Sequence, residues 1–376
     1  METSKLINLS AIKKENFSPS IEKDNKQMPP HKDSLLSIIF ALSMLVYLIA
    51  FIIVKSWEPI MELIFGVKQN LNYFIQNQNY FCDYIHMIYD LKIEDELLLY
   101  EVSLNNTKFE MFIYKNYDYV SKKIYLNHSF ESNITLNMLK ALKYFAKQNN
   151  IKNNQEIVVI DIGGNIGWYS TFLGSFRYTV LTFEPDPTNY YVIRKNFCRN
   201  NRDFFGNLSS IIIVNKTLYT EEKACDYYKN NNTGKYLILC NTSKSNNLQK
   251  NYKKISSVQS TKLSKLIPDL NSTKIALIRI DLDAEGEKAI ESGVELITKF
   301  HVPYIFMEFS LRPFKERETD PKQFLQFFKD NGYNFSLNGF LNTKTISIEK
   351  ILENKIETIN LYLSLNKERK INKNGI

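Results

Sequence analysis

Residues Val158–Pro185 read VVIDIGGNIGWYSTFLGSFRYTVLTFEP, and the order of apolar runs, glycines and acids in this stretch decides the fold. Ile157–Ile160 is an apolar run ending at Asp161, the pattern of a strand buried on both faces. Gly163, Gly164 and Gly167 follow at once, Trp168–Phe176 continues as a helical stretch, and a second apolar run, Tyr178–Phe183, ends on Glu184. Strand, glycine-rich turn, helix, strand and acid form the first βαβ unit of a nucleotide-binding sheet. The expected fold class is therefore α/β, with a doubly wound and mostly parallel sheet.

Each position has a chemical reason. Glycines at the turn let the backbone approach a ligand that a Cβ would strike. A helix beginning near Ile166 offers unpaired N–H groups and a positive dipole end to a carboxylate or phosphate. Glu184 lies 23 residues after Asp161 (184 − 161), at a strand end where a carboxylate accepts hydrogen bonds from both hydroxyls of a ribose. The expected ligand carries a ribose, an adenine-like base and an anionic group. The glycine spacing then selects among such ligands. The dinucleotide pattern G-x-G-x-x-G is not met, because Asn165 stands where its middle glycine belongs. A βαβ unit that binds nothing and a nicotinamide-dependent oxidoreductase are the competing readings.

Asp161, Gly163, Asn165 and Gly167 form D-x-G-x-N-x-G, which resembles the first motif of class I S-adenosylmethionine methyltransferases. DIGGNIGWYS followed by FEPDP resembles the FkbM family in particular, over a span from about Tyr114 to about Tyr333. The resemblance implies a Rossmann-like class I methyltransferase fold, S-adenosyl-L-methionine as cofactor, and O-methyl transfer, in many members to a hydroxyl of a sugar or glycan. It implies cofactor contacts at Asp161, Gly163, Gly164, Asn165, Gly167, Glu184, Asn215 and Asp281. A tethered cofactor-binding module without transferase activity is the alternative within the same fold.

Farther on, DLDAEGEKAIESG resembles the family segment K-I-D-V-E-G, with Arg279 in the place of its lysine and Asp281 matching its aspartate. The second acid stays open between Asp283 and Glu285. Asp281 and Glu285 are the catalytic candidates; Asp281 acts as a base or holds the cofactor's ammonium. Glu308, in the run MEF, matches a family glutamate. Asp281, Asp283, Glu285 and Glu287 also suggest hard oxygen ligands for a divalent cation. No histidine joins them, and acids opening a helix favour its dipole in any case. A metal is not expected.

The 376 residues leave room for one or two domains, and a hydrophobic fraction of 44% supplies a sizeable core. The net charge of +8 comes from lysines and arginines spread among acids, with no basic cluster interleaved with aromatics, so nucleic acid is not an expected partner. Met1–Ser34 reads as a polar, disordered tail. Leu35–Val54 is 20 residues without a charge, the length of a bilayer-spanning helix, and is expected to be an uncleaved signal-anchor. Residues 55–95 form a stem, and 96–376 the catalytic domain. Six lysines precede the anchor and few follow it closely, which sets the tail in the cytosol and the domain in the lumen of the Golgi or endoplasmic reticulum, or outside the cell.

N-x-S/T sequons beyond the anchor suggest a glycoprotein, weakly in so Asn-rich a chain. All four cysteines, Cys82, Cys198, Cys225 and Cys240, also lie beyond it. Ala224–Lys229 and Lys235–Cys240 read as strands around an Asn-rich tip, a register that sets Cys225 opposite Cys240 and predicts a disulfide there. The enclosing stretch Lys216–Ser260 reads as a long polar excursion and a candidate acceptor lid.

Overall fold

The computed structural model describes residue 82 and residues 91–366, apart from 204–209, 231–235, 241–251, 266–273, 282–285, 318, 355 and 357. All of these lie in the second of two compact units, Phe65–Ile376. The expected tail, the anchor Leu35–Val54 and most of the stem lie outside the described residues. Among the described residues, no helix is long and apolar enough to cross a membrane.

The chain enters with a hairpin of β1, Leu97–Leu104, and β2, Thr107–Tyr114. Asn105 and Asn106 turn it, both at positive φ, as a two-residue hairpin turn demands. Helices Tyr119–Asn127 and Ser132–Gln148 follow. The expected βαβ unit is present: β3 spans Ile157–Ile162, the helix Trp168–Ser175, and β4 Thr179–Phe183. The helix Pro187–Asp203 then leads to β5, Ser210–Val214.

The excursion is not a loop. It folds as β6, Thr217–Leu218; β7, Ala224–Asn230; β8, Tyr236–Leu239; and β9, Tyr252–Thr261, a four-stranded sheet in the order β6-β9-β7-β8. Asp226 faces Leu239 across β7 and β8, which brings Cys225 to Cys240, and the two are disulfide-bonded as the sequence predicts. Cys82 is bonded to Cys198, so no cysteine is free.

β10, Lys274–Asp281, returns to the main sheet. A helical stretch broken at Gly293 into Gly286–Ser292 and Val294–Thr298 leads to β11, Tyr304–Ser310. The helix Pro321–Asp330 starts as the sequence predicts, with the Asp320 side chain accepting the Lys322 N–H and Pro321 in the first turn. β12, Tyr333–Ser336, and β13, Thr358–Leu365, complete the fold.

The main sheet has seven strands in the order β12-β13-β11-β10-β3-β4-β5. β5, β4, β3, β10 and β11 run parallel, and β13 is inserted antiparallel between β11 and β12. This is an α/β arrangement around a mostly parallel sheet, as the sequence predicts. β3 is buried at every position, so its residues alternate between two cores. Ile157 and Val159 join the helices 132–148, 168–175 and 187–203 on one face. Val158, Ile160 and Ile162 join the helices 286–298, 321–330 and 348–352 on the other.

Helix Pro187–Asp203 anchors what precedes the sheet. Its Asn196 and Asn200 side chains bond the β2 backbone, taking the Phe112 and Glu110 N–H groups at 2.6 and 3.2 Å. These bonds satisfy a strand edge that would otherwise stand open. Glu94, in the short helix Leu91–Asp95, bonds Tyr191 and Lys195 of helix Pro187–Asp203, and Cys82 is linked to Cys198 of that longer helix. The end of the stem is thus fastened to the domain.

Candidate active site

The parallel strands direct β3, β4, β10 and β11 to one edge, where the glycine turn and the strand-end acids gather. Gly163, at φ +86°, lies so close to β10 that a Cβ on it would stand 3.0 Å from the Asp281 Cβ. A Cβ on Gly164 would meet the Thr182 hydroxyl at 2.4 Å. The glycines therefore seat the turn between β10 and β4.

The turn's N–H groups, expected to face an anion, are used within the fold. Gly163 and Gly164 both donate to the Phe183 carbonyl at 3.0 Å, and Gly167 donates to the Gly164 carbonyl at 2.8 Å. Asn165, at positive φ, donates its N–H to Glu184 Oε2 at 2.7 Å, while its own side chain accepts the Ile166 N–H. The helix begins at Trp168, not near Ile166. Asparagine suits the turn because it tolerates the left-handed region and bonds the adjacent backbone.

Glu184 is buried, and its other oxygen, Oε1, accepts the Asp186 N–H at 2.9 Å. Burial, reinforced by the neighbouring Asp186, raises its pKa to about 8 against the opposing pull of those N–H groups. Asp186 accepts the Thr188 and Asn189 N–H groups and so opens the helix 187–203. Tyr227, from the four-stranded sheet, lies near enough to Asp186 for that acid's charge to raise its pKa, after burial, and stacks on Tyr236 with ring centroids 5.1 Å apart. The excursion thus reaches the Glu184 side of the crevice. Asn215 is exposed and donates its amide to the Glu184 and Pro185 carbonyls, which fixes this loop.

On the other side of the turn, Arg279 is buried opposite Asp161 and beneath the paired strand ends Asp281 and Glu308. Its Nη1 lies 3.6 Å from Asp161 and donates to the Gly163 carbonyl at 2.6 Å. Its Nη2 lies 2.7 Å from Glu308 and 3.5 Å from Asp281. The guanidinium also sits 4.9 Å from the Tyr169 ring centroid, and the Tyr169 hydroxyl donates to Glu131. Burial and the adjacent Asp281 push Glu308 up to about 8, with Arg279 opposing. Asp161 is also raised, by burial first. Its Oδ2 accepts from Ser170 at 2.7 Å, whereas Oδ1 makes no hydrogen bond. Three acid side chains beside one guanidinium give the crevice an acidic lining, whose ionised forms a bound cationic group would favour.

Asp161, Gly163, Gly164, Asn165, Gly167, Glu184 and Asp281, the residues expected to contact a cofactor, lie together at this edge, and Asn215 lies next to them. Glu285 lies outside the described residues. Among the described residues, no group of three or more acid, histidine or cysteine side chains forms a metal site. Tyr169 and Glu131 were not legible as site residues: Tyr169 reads as one more apolar helix position, and Glu131 reaches the site only through tertiary packing.

The family model described as the methyltransferase FkbM domain matches residues 161–335, starting later than the Tyr114 expected from sequence. Among curated proteins no relative matches. Among solved structures, the chain is similar to methyltransferase FkbM from Methylobacillus flagellatus KT, at 12% identity and a TM-score of 0.34, over 65% of this chain and 59% of that one. It is similar to the bifunctional kinase-methyltransferase WbdD, at 10% identity and a TM-score of 0.32, over 62% of this chain and 39% of that one. A third is the magnesium protoporphyrin IX methyltransferase of Synechocystis PCC 6803 with bound SAM, at 10% identity and a TM-score of 0.31, over 66% and 85% of the two chains. The chain thus spans about three fifths of the first of these structures and two fifths of the second. Over residues 161–335, from the end of β3 into β12, the chain is similar to the methyltransferase FkbM domain.

Proposed function

We propose that this protein transfers a methyl group from S-adenosyl-L-methionine to a hydroxyl oxygen of a sugar or glycan. The observation that carries the reading is the placement of Asp161, Asp281 and Glu308 around Arg279 on one side of the glycine turn, with Glu184 on the other. The residues fit the cofactor in charge. The acid-lined crevice suits an α-ammonium and a sulfonium, whose charge would favour the ionised acids. Glu184 has one backbone N–H on each oxygen, which leaves each a lone pair for a ribose hydroxyl.

When bound, the cofactor supplies an electrophilic methyl group. The chain's own residues do the rest. Glu184 orients the ribose edge. Arg279 fixes Asp281 and Glu308, and Asp281, with a third of its side chain exposed, takes the proton of the acceptor hydroxyl. With Glu184 holding the cofactor and Asp281 the acceptor hydroxyl, that methyl would pass from sulfur to the acceptor oxygen, and such positioning supplies much of the acceleration.

The sugar acceptor is what the FkbM resemblance implies. The placement is a single-pass membrane protein with its catalytic domain luminal or extracytoplasmic. Leu35–Val54 supports the anchor through its length and lack of charge, and the pairing of all four cysteines supports an oxidising compartment. The test is a methyl-transfer assay with isotopically labelled cofactor and a panel of glycans. Label in a glycan ether, absent with Asp281→Asn, supports the reading; a folded protein that labels none of them removes it.

A further inference from the structure

We infer that the pocket beside Glu131 is the acceptor subsite, built to hold one neutral sugar ring; this rests on the methyltransferase reading above. The pocket has a volume of about 270 Å³ and is lined by Tyr119, Lys123, Asn127, Ser129, Glu131 and Ser132, with Phe130 beneath. Ligand pockets run from roughly 300 Å³ upward, so this one takes a single ring and not a peptide.

Its chemistry is that of a polyol site. Lys123 donates, Glu131 accepts, and the Asn127 amide and the two serine hydroxyls do both. Ser129 and Ser132 are already bonded to each other at 2.8 Å, which fixes their oxygens. One cation and one anion leave the pocket near neutral, which disfavours a phosphate or nucleotide. Tyr119 is 68% exposed, with its ring edge-on to Phe130 at 6.2 Å. An exposed tyrosine held beside a polar pocket presents an apolar face together with a hydroxyl, matching the C–H faces and O–H edges of a sugar ring.

The pocket is wired to the candidate site. Glu131 accepts the Tyr169 hydroxyl, and the Tyr169 ring underlies the Arg279 guanidinium that contacts Asp281. Phe130 packs edge-on to Tyr169 at 6.3 Å. The preceding residue of the same helix, Trp168, donates its indole N–H to Thr135 at 3.0 Å, and Thr135 donates to the Phe130 carbonyl at 3.1 Å. The helix that begins at the glycine turn therefore holds the pocket wall. Glu131 itself adopts φ 42°, a left-handed conformation uncommon for glutamate that packing must maintain.

The experiment is saturation-transfer NMR on the full chain, produced without N-glycans so that Asn127 carries no sugar. The probes are methyl hexopyranosides at concentrations up to about 10 mM, and S-adenosylmethionine binding is measured on the same samples. The expected result is transfer to the ring C–H protons, reduced at least about fivefold by Tyr119→Ala and by Glu131→Gln, with cofactor affinity unchanged in Tyr119→Ala. Tyr119 is too exposed for its truncation to unfold the domain. Absent pyranoside signals, or signals indifferent to Tyr119→Ala, overturn the subsite. Loss of cofactor binding in the wild type, with Tyr119-dependent pyranoside signals retained, overturns the methyltransferase reading and leaves the pocket standing.

Discussion

Glu184 accepts the backbone N–H of Asn165 at 2.7 Å, so the acid that ends β4 holds the glycine turn that ends β3. The acid and the turn proposed to hold the cofactor are one hydrogen-bonded unit. Above about pH 8, where Glu184 is ionised, Glu184→Gln keeps the volume but turns an amide N–H₂ toward one of two backbone N–H donors. A buried donor left unpaired costs about 1–3 kcal/mol. The expected outcome is a lower unfolding midpoint in denaturant with an unchanged slope, together with weaker cofactor binding.

Buried acids set the pH dependence of stability. Glu184 and Glu308 both rise from an ordinary 4.5 to about 8 in the folded protein. The folded state then binds more protons than the unfolded chain between these values, so stability falls as pH rises across that window. Their stabilising effect is fully present below 4.5 and lost above about 8. Thermal scans across this range are expected to show a declining midpoint, and Glu308→Gln, which imitates the protonated acid, is expected to flatten the decline.

Arg279 compensates Asp161, Asp281 and Glu308 at once. Removing one partner of a buried ionic cluster strands the others, at about 3–5 kcal/mol. Arg279→Met is expected to lose that much stability in chemical denaturation and to regain part of it at lower pH. Arg279→Lys keeps the charge but not the planar fork that reaches both Gly163 and Glu308. It is expected to fall between the two.

Asp281→Asn preserves shape and removes the proton acceptor. If Asp281 takes the acceptor's proton, kcat falls about 10²–10⁴-fold while cofactor affinity changes little. An equal loss in binding and rate would assign it to holding the cofactor.

The Cys225–Cys240 bond closes a stretch with a sequence separation of 15. Loops of that size give about 3 kcal/mol. Replacing both cysteines by serine is expected to open the four-stranded sheet first, read as faster hydrogen exchange in β7 and β8 while β3 and β4 stay protected.

The sequence made the main sheet readable because β3, β4, β5, β10 and β11 are short apolar runs ending in polar residues. Cys225 and Cys240 were readable as a pair because the turn-rich tip fixed their register. β9 was not readable: half of its ten positions are exposed, including Lys253 and Lys254, and its buried ones include Ser260 and Thr261, so no apolar alternation marks it. The use of the turn's N–H groups was also hidden, since it depends on the Phe183 carbonyl and Glu184 arriving from the neighbouring strand. Glu131 carries no local signal, because it joins the site only when helix 132–148 packs against Trp168 and Tyr169.

Calorimetric titration of S-adenosylmethionine into the detergent-solubilised full chain, with Glu184→Ala as control and NADH as competitor ligand, tests the central claim most directly. The account predicts a dissociation constant on the order of 1–100 µM for the wild type, weakened at least about tenfold in the variant, and no heat from NADH. A folded wild-type chain that binds no S-adenosylmethionine, or that binds NADH in its place, would contradict it.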